Sequence, residues 1–170
     1  MIDLNDTAAI HAADPQHMHQ HILNLPQQLI DGWNAADKVE LPRSLSTIDR
    51  VVITGMGGSA MGGSLLAALM SPESKLPVFV SRDYDLPAFA SDAHTLVIAS
   101  SYSGNTEETL SAFDQARSRG CQLIVMTGGG MLAGRAREFH LPLITIDYQA
   151  QPRAALGFWM VKPEAWSVST

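Results

Sequence analysis

From residue 50 onward, short apolar runs alternate with longer segments that have helical spacing. The runs are apolar at consecutive positions instead of every second one, which is typical of strands buried on both faces in a parallel sheet covered by helices. The pattern therefore predicts an α/β fold with ligands bound at the carboxyl edge of the sheet. The five predicted strands are residues 51–54, 76–80, 95–99, 123–126 and 143–146.

The first 49 residues have a different, helical pattern. Asp14 followed by Pro15 predicts a helix start, and Pro26 is expected to kink or split the helix. Four apolar residues are spaced to share one helical face: Met18, Ile22, Leu25 and Leu29.

A loop rich in hydroxyl groups follows the third predicted strand and precedes an amphipathic segment. We call residues 100–106 the hydroxyl loop, since it contains Ser101, Ser103 and Thr106, and we expect Asn105 to cap the following helix. Unpaired N–H groups and the dipole at a helix N-terminus favour an anion. The loop therefore predicts a phosphate-binding site.

Two acids, Glu107 and Glu108, follow this loop and raise the alternative of a general base. Asn105 and Glu108 have the spacing of a capping box, and acids in a first helical turn are stabilised by the dipole. A carboxylate aimed at a bound phosphate would repel it. We therefore favour a structural role for both acids.

A glycine-rich loop, residues 55–64, follows the first predicted strand. Its Gly55, Gly57 and Ala60 match the dinucleotide pattern G-x-G-x-x-A, and Arg82 after the second strand would suit a 2′-phosphate, so an NAD(P) site is one interpretation. Nicotinamide binding does not require a hydroxyl cluster after the third strand, whereas a phosphate monoester uses every donor. The two loops together favour the phosphate.

The segment after the fifth strand, residues 147–157, carries Arg153 just behind a proline. At the carboxyl edge of the sheet, an arginine suits stabilising negative charge that develops on a substrate oxygen. The alternative is an ion pair with Asp147 or a surface carboxylate. The glycines of residues 127–130 are expected to turn the chain at the same edge, with at most a minor ligand role.

Composition limits the classes of partner. The chain has 170 residues, a net charge of −6 and one cysteine, Cys121. The acidic balance argues against nucleic acid and anionic membranes, and no apolar run reaches the length of a membrane span. A lone cysteine fits a reducing compartment, so we expect a cytoplasmic protein. His17 and His21 share a helix face without a nearby acid or cysteine, and we predict no metal site.

Three motifs in order along the chain resemble the sugar isomerase (SIS) domain, and more narrowly the N-terminal half of bifunctional phosphoglucose/phosphomannose isomerases. They are GMGGS (55–59), SYSGNTEET (101–109) and QPRAALG (151–157). The resemblance implies a three-layer α/β/α, doubly wound fold whose five parallel strands have the order 2-1-3-4-5. It also implies that Arg153 stabilises an enediolate-like transition state and that five residues hold a sugar 6-phosphate: Gly58, Ser59, Ser101, Ser103 and Thr106.

The same resemblance implies an aldose–ketose isomerase that interconverts glucose 6-phosphate or mannose 6-phosphate with fructose 6-phosphate and needs no cofactor. In the resembled enzymes the catalytic base lies in a second SIS domain. We therefore expect this chain to supply the phosphate-binding half, as a homodimer or paired with a second SIS domain. A non-catalytic sugar-phosphate-binding regulatory module is the alternative. The expected domain division is a helical segment and linker (1–49), an SIS core (50–158) and a divergent tail (159–170).

Overall fold

The computed structural model describes residue 3 and residues 5–72 and 74–159. Of the predicted tail (159–170), residues 160–170 lie outside the described residues. Six α-helices are present in the described residues: α1 (Thr7–Ala13), α2 (Met18–Leu23), α3 (Leu25–Asp37), α4 (Gly57–Met70), α5 (Glu107–Ser118) and α6 (Gly130–Glu138). Short 3₁₀ turns occupy Arg43–Thr47, Pro152–Ala154 and Leu156–Trp159.

Five strands form one parallel sheet in the order β2-β1-β3-β4-β5, as predicted. Each strand lies within two residues of its predicted ends: β1 (Arg50–Thr54), β2 (Val78–Ser81), β3 (Thr95–Ser101), β4 (Gln122–Thr127) and β5 (Leu143–Thr145). The strand order reverses between β1 and β3, whose carboxyl ends carry the glycine-rich loop and the hydroxyl loop. A crevice at such a reversal is where ligands bind in open α/β sheets.

The core has two layers because alternate residues of each strand point to opposite faces of the sheet. On one face Val97 lies in a cluster with Phe113 of α5 and Leu132 of α6. On the other face Ile98 lies in a cluster with Leu66 of α4 and Trp159. Both faces are therefore buried, which explains why the strands have no polar alternation.

The N-terminal helices begin differently from the prediction. α2 begins at Met18, and Asp14 ends the preceding helix, so the expected helix start at Pro15 is wrong. The Asp14 carboxylate accepts hydrogen bonds from the backbone N–H of His19 at 2.7 Å and of Met18 at 2.8 Å. These two bonds lower the pKa of Asp14. The break between α2 and α3 falls just before Pro26, as expected.

The four apolar residues predicted to share a helical face are not the most deeply buried residues of this region. Ile22 is 62% exposed, whereas the polar Gln28 of α3 is fully buried. The reason is a close backbone approach, which side-chain periodicity does not reveal. A Cβ on Gly32 would lie 2.9 Å from the Cα of Phe158, so α3 packs against the chain just after the Arg153 segment.

Candidate functional site

Three segments that are distant in sequence meet at the carboxyl edge of the sheet. Ser59 Oγ, in the first turn of α4, accepts a hydrogen bond from the backbone N–H of Tyr102 at 3.3 Å. A Cβ on Gly58 would lie 2.7 Å from the carbonyl oxygen of Pro152. The glycine-rich loop therefore contacts both the hydroxyl loop and the segment that carries Arg153.

The hydroxyl loop is closed by its own side chains. Ser101 Oγ and Thr106 Oγ1 lie 2.8 Å apart, and Ser101 Oγ also accepts from the backbone N–H of Gly104 at 3.1 Å. Ser103 Oγ accepts from the N–H of Asn105 at 3.2 Å. Ser103 is exposed and Ser101 is buried. Because Ser103 only accepts within the loop, its hydroxyl proton is free to bind an incoming oxygen.

Helix α5 begins directly behind this loop, with Thr106 at the N-cap position. The expectation that Asn105 caps this helix is wrong, since its Oδ1 accepts from the backbone N–H of Met131 in α6 at 3.0 Å. The first-turn N–H groups of α5 have no partner within the helix. The helix end therefore offers donors and a positive dipole beside Ser103.

The two acids of the first turn are oriented toward the segment after β2. Tyr84 Oη donates to Glu107 Oε2 at 3.3 Å. The negative charge of Glu108 is the main cause that raises the pKa of the Tyr84 phenol. This placement agrees with a structural role for both carboxylates. Nearby, the Arg82 guanidinium donates to Ser64 Oγ of α4 at 2.6 Å.

The glycine run after β4 supports the hydroxyl loop through its backbone. Gly128 N–H donates to the carbonyl oxygen of Tyr102 at 3.1 Å, and Leu132 N–H donates to that of Gly104 at 2.9 Å. A Cβ on Gly128 would lie 2.8 Å from the same Tyr102 oxygen. These glycines turn the chain, as expected, and they also let α6 approach the loop closely enough to fix it.

Arg153 is exposed and lies in the 3₁₀ turn Pro152–Ala154. Within residues 5–72 and 74–159, no ion pair to its guanidinium is present, so the alternative pairing with Asp147 is not observed. The charge of Arg153 is therefore available to a ligand.

Tyr102 connects the hydroxyl loop to the Arg153 segment. Its hydroxyl donates to the carbonyl oxygen of Tyr148 and accepts from the N–H of Ala150 at 3.0 Å. A cleft of about 590 Å³ is lined by Tyr102, Gly128 and residues 146–150. This volume is within the range of small-molecule sites.

Sequence reasoning missed two residues of this region, Tyr102 and Gln28. Tyr102 stands between Ser101 and Ser103, and its position in the hydroxyl loop was a usable signal. Gln28 carries no comparable signal, since it is one of two adjacent glutamines in α3.

In the part of the chain that the structure describes, no group of three or more His, Cys, Asp or Glu side chains is arranged to hold a metal ion. No helix there combines the length and the hydropathy that crossing a bilayer requires.

Comparison with known proteins agrees with this architecture. The SIS domain model matches residues 44–163. A bifunctional phosphoglucose/phosphomannose isomerase from Caldicellulosiruptor bescii is 48% identical over 141 residues, which are 83% of this chain and 41% of that protein. A protein of the same name from Aquifex aeolicus is 37% identical over 79% of this chain and 42% of its own length.

A solved structure gives the same fold at lower identity. A putative phosphosugar isomerase from Clostridium difficile 630 superposes with a TM-score of 0.62 at 17% identity, covering 84% of this chain and 43% of that one. The chain belongs to the SIS domain family, and its curated relatives include bifunctional phosphoglucose/phosphomannose isomerases. It spans about two fifths of the length of the two relatives described above.

Proposed function

We propose that this chain is the phosphate-binding half of an aldose–ketose isomerase that interconverts glucose 6-phosphate or mannose 6-phosphate with fructose 6-phosphate. The observation that carries the proposal is the joining of three motifs at one sheet edge, through the Ser59–Tyr102 hydrogen bond and the Gly58–Pro152 contact. The proposal is supported because these contacts join the hydroxyl loop, whose donors are neutral, to the segment of Arg153, which forms no ion pair with the described residues.

The substrate's 6-phosphate binds at the start of α5. Ser103 contributes its free hydroxyl proton, and Ser59, Ser101 and Thr106 add hydroxyls around it, with Gly58 at the start of α4. Hydrogen bonds to a charged group contribute about 1.5–3 kcal/mol each, whereas association costs several kcal/mol or more. A few donors therefore give a moderate affinity and position the sugar without any chemistry.

Arg153 acts on the reacting end of the sugar. In the aldose-to-ketose direction a base removes the proton from C2, the carbonyl oxygen at C1 gains negative charge, and this oxygen takes up a proton to give a cis-enediol. Loss of the O2 hydroxyl proton and return of the base's proton to C1 then give the ketose. A guanidinium near these oxygens stabilises the charge as it develops. We do not assign the catalytic base to Glu107 or Glu108, because both carboxylates lie beside Tyr84. This base is contributed by a second SIS domain.

The pairing partner, a second copy or a second SIS domain, is proposed to cover α4. This helix has no charged residue, although it lies at the surface of an acidic protein. Met61, Leu65 and Leu69 form an exposed stripe at a spacing of four residues, and they are 50%, 41% and 57% exposed. A helix that is apolar on all sides is normally buried.

A non-catalytic sugar-phosphate-binding module is the second candidate function. It is favoured by one observation: Glu107 and Glu108, the two acids that follow the hydroxyl loop, lie beside Tyr84. An isomerase assay of the 170-residue chain distinguishes the two functions, since the module binds fructose 6-phosphate without converting it. For either function, the proposed sugar-phosphate ligand implies a role in carbohydrate metabolism. The cytoplasmic location is inferred from the reducing compartment that the lone cysteine predicts.

A thermal-shift titration tests the proposed function. Fructose 6-phosphate is compared with inorganic phosphate, fructose and NADP, because a ligand that binds only the folded state raises its apparent stability. We expect a saturable shift for fructose 6-phosphate that exceeds the shift for phosphate. Ser103→Ala should abolish this shift, whereas Ser118→Ala at the other end of α5 should retain it. A shift with NADP alone, or equal shifts for both serine variants, would contradict the proposal.

A further inference from the structure

Gln28 is a buried side chain whose amide is fully occupied by hydrogen bonds. Its Nε2 donates to the carbonyl oxygen of Ala154 at 2.8 Å and to Tyr148 Oη at 3.2 Å, with a longer bond of 3.3 Å to the carbonyl oxygen of His21. Its Oε1 accepts from the N–H of Gly157 at 3.2 Å. None of its surface is exposed. Such a polar group is costly to bury unless it is satisfied, and here it is.

Two of these bonds hold the backbone on the C-terminal side of Arg153. Ala154 follows Arg153 directly, and Gly157 is the last residue of the QPRAALG motif. Both bonds are buried. The side chain of Gln28 therefore connects α3 to the segment that carries Arg153, through the carbonyl oxygen of Ala154 and the N–H of Gly157.

The fit between α3 and this segment leaves no room for adjustment. A Cβ on Gly157 would lie 2.5 Å from the Cβ of Gln28 and 3.0 Å from the N of Leu29. On the N-terminal side of Arg153, Gly58 of α4 contacts Pro152. The Arg153 turn is thus held between two helices, and Gln28 is the polar contact on the α3 side.

We propose that Gln28 is a positioning residue that fixes the guanidinium of Arg153 toward the reacting end of the bound sugar phosphate. The inference rests on the proposed function. The Arg153 side chain forms no ion pair with the described residues, so the backbone of its own turn sets the point from which the side chain extends. Replacing the Gln28 amide by an apolar chain leaves a buried carbonyl and a buried N–H without partners, and the turn shifts to satisfy them.

The test uses two ligands and the variants Gln28→Met and Gln27→Met of the full chain. A five-carbon aldonate 5-phosphate carries a carboxylate that imitates the charge of an enediolate, and inorganic phosphate reports the phosphate site alone. Gln28→Met should lower the affinity for the aldonate phosphate about tenfold and leave that for phosphate unchanged. Gln27→Met is the matched control, because Gln27 is exposed and donates to the exposed Asp31. It should change neither affinity.

A double-mutant cycle with Arg153→Ala separates positioning from general destabilisation. In the Arg153→Ala background Gln28→Met should cause no further loss, since the group it positions is gone. An equal loss in both backgrounds, or an equal loss for both ligands, overturns the inference. If Gln28→Met does not fold, Tyr148→Phe removes one partner of the same amide and should give a smaller, aldonate-specific loss; unchanged aldonate affinity in this variant also overturns it.

The two proposals fail in different ways in this experiment. A wild-type chain that binds the aldonate phosphate no more tightly than phosphate contradicts the proposed function. A wild-type chain that prefers the aldonate phosphate, with Gln28→Met retaining the full preference, contradicts only the role of Gln28.

Discussion

Gly104 of the hydroxyl loop lies directly against the carbonyl oxygen of Gly129, so that a Cβ at position 104 would collide with it. Gly104 also has a φ of +69°, a conformation that other residues rarely adopt. The hydroxyl loop is therefore fixed by a backbone contact with the turn before α6. A side chain at this position should disturb the site more than any surface change nearby.

Gly104→Ala should destabilise the protein by about 2 kcal/mol or more, since strain and a collision with backbone add. It should also remove binding of fructose 6-phosphate. Gly120→Ala is the matched control, because Gly120 has a φ of +74° with nothing within 4 Å of its Cβ position. It should cost about 1 kcal/mol and leave binding intact. If Gly104→Ala and Gly120→Ala lower the free energy of unfolding equally in denaturant, the contact between Gly104 and Gly129 is contradicted.

Gly58→Ala should weaken both stability and sugar-phosphate binding, because the new Cβ separates the start of α4 from Pro152. Gly134→Ala on α6 is its control: the Cβ position at Gly134 is open. That variant should stabilise the protein by about 0.5–1 kcal/mol through helix propensity. Chemical denaturation and calorimetric titration with fructose 6-phosphate measure the two effects. Stabilisation by Gly58→Ala would show that the segments are not in contact.

The Asp14 carboxylate should make folding stability depend on pH in the acid range. Its pKa is lowered in the folded state, so its contribution is complete above the unfolded-state pKa of about 3.9 and is lost as the pH falls through the lower folded-state value. The difference in melting temperature between wild type and Asp14→Ala should therefore be constant above about pH 5 and narrow below pH 4. A difference in melting temperature that stays unchanged to low pH would show that the ionised Asp14 carboxylate does not stabilise the fold.

The apolar stripe on α4 should drive self-association of the 170-residue chain. Leu65→Gln and Leu69→Gln together should shift sedimentation toward the monomer with little change in melting temperature, because both side chains are exposed. Met131→Gln on α6, where Met131 is also exposed, is the control and should leave the distribution unchanged. A wild-type chain that stays monomeric at high concentration would contradict the proposal.

Most of the fold was predictable from the chain because buried parallel strands carry a strong local pattern. The run around Ile98 is apolar throughout, and the structure buries every residue of β3. The sheet order came from the resemblance to the SIS family and is confirmed. The roles of the site residues remain predictions, although the segments that carry them do meet.

The errors came from contacts that are not local. Asn105 has the right type and position for a cap, yet its side chain binds α6, which no spacing along α5 reveals. Nothing in the sequence around Gln28 indicated its burial, while Ile22 of the predicted apolar face is exposed. In both cases the deciding partner is distant in sequence, and glycines permit the close approach.

A crystal structure of the chain with fructose 6-phosphate tests the proposed function most directly. The phosphate should lie against Ser103 Oγ and the first-turn N–H groups of α5, with the Arg153 guanidinium turned toward the C1 and C2 oxygens. A phosphate bound elsewhere, or a sugar whose C1 and C2 point away from Arg153, would contradict the proposed site.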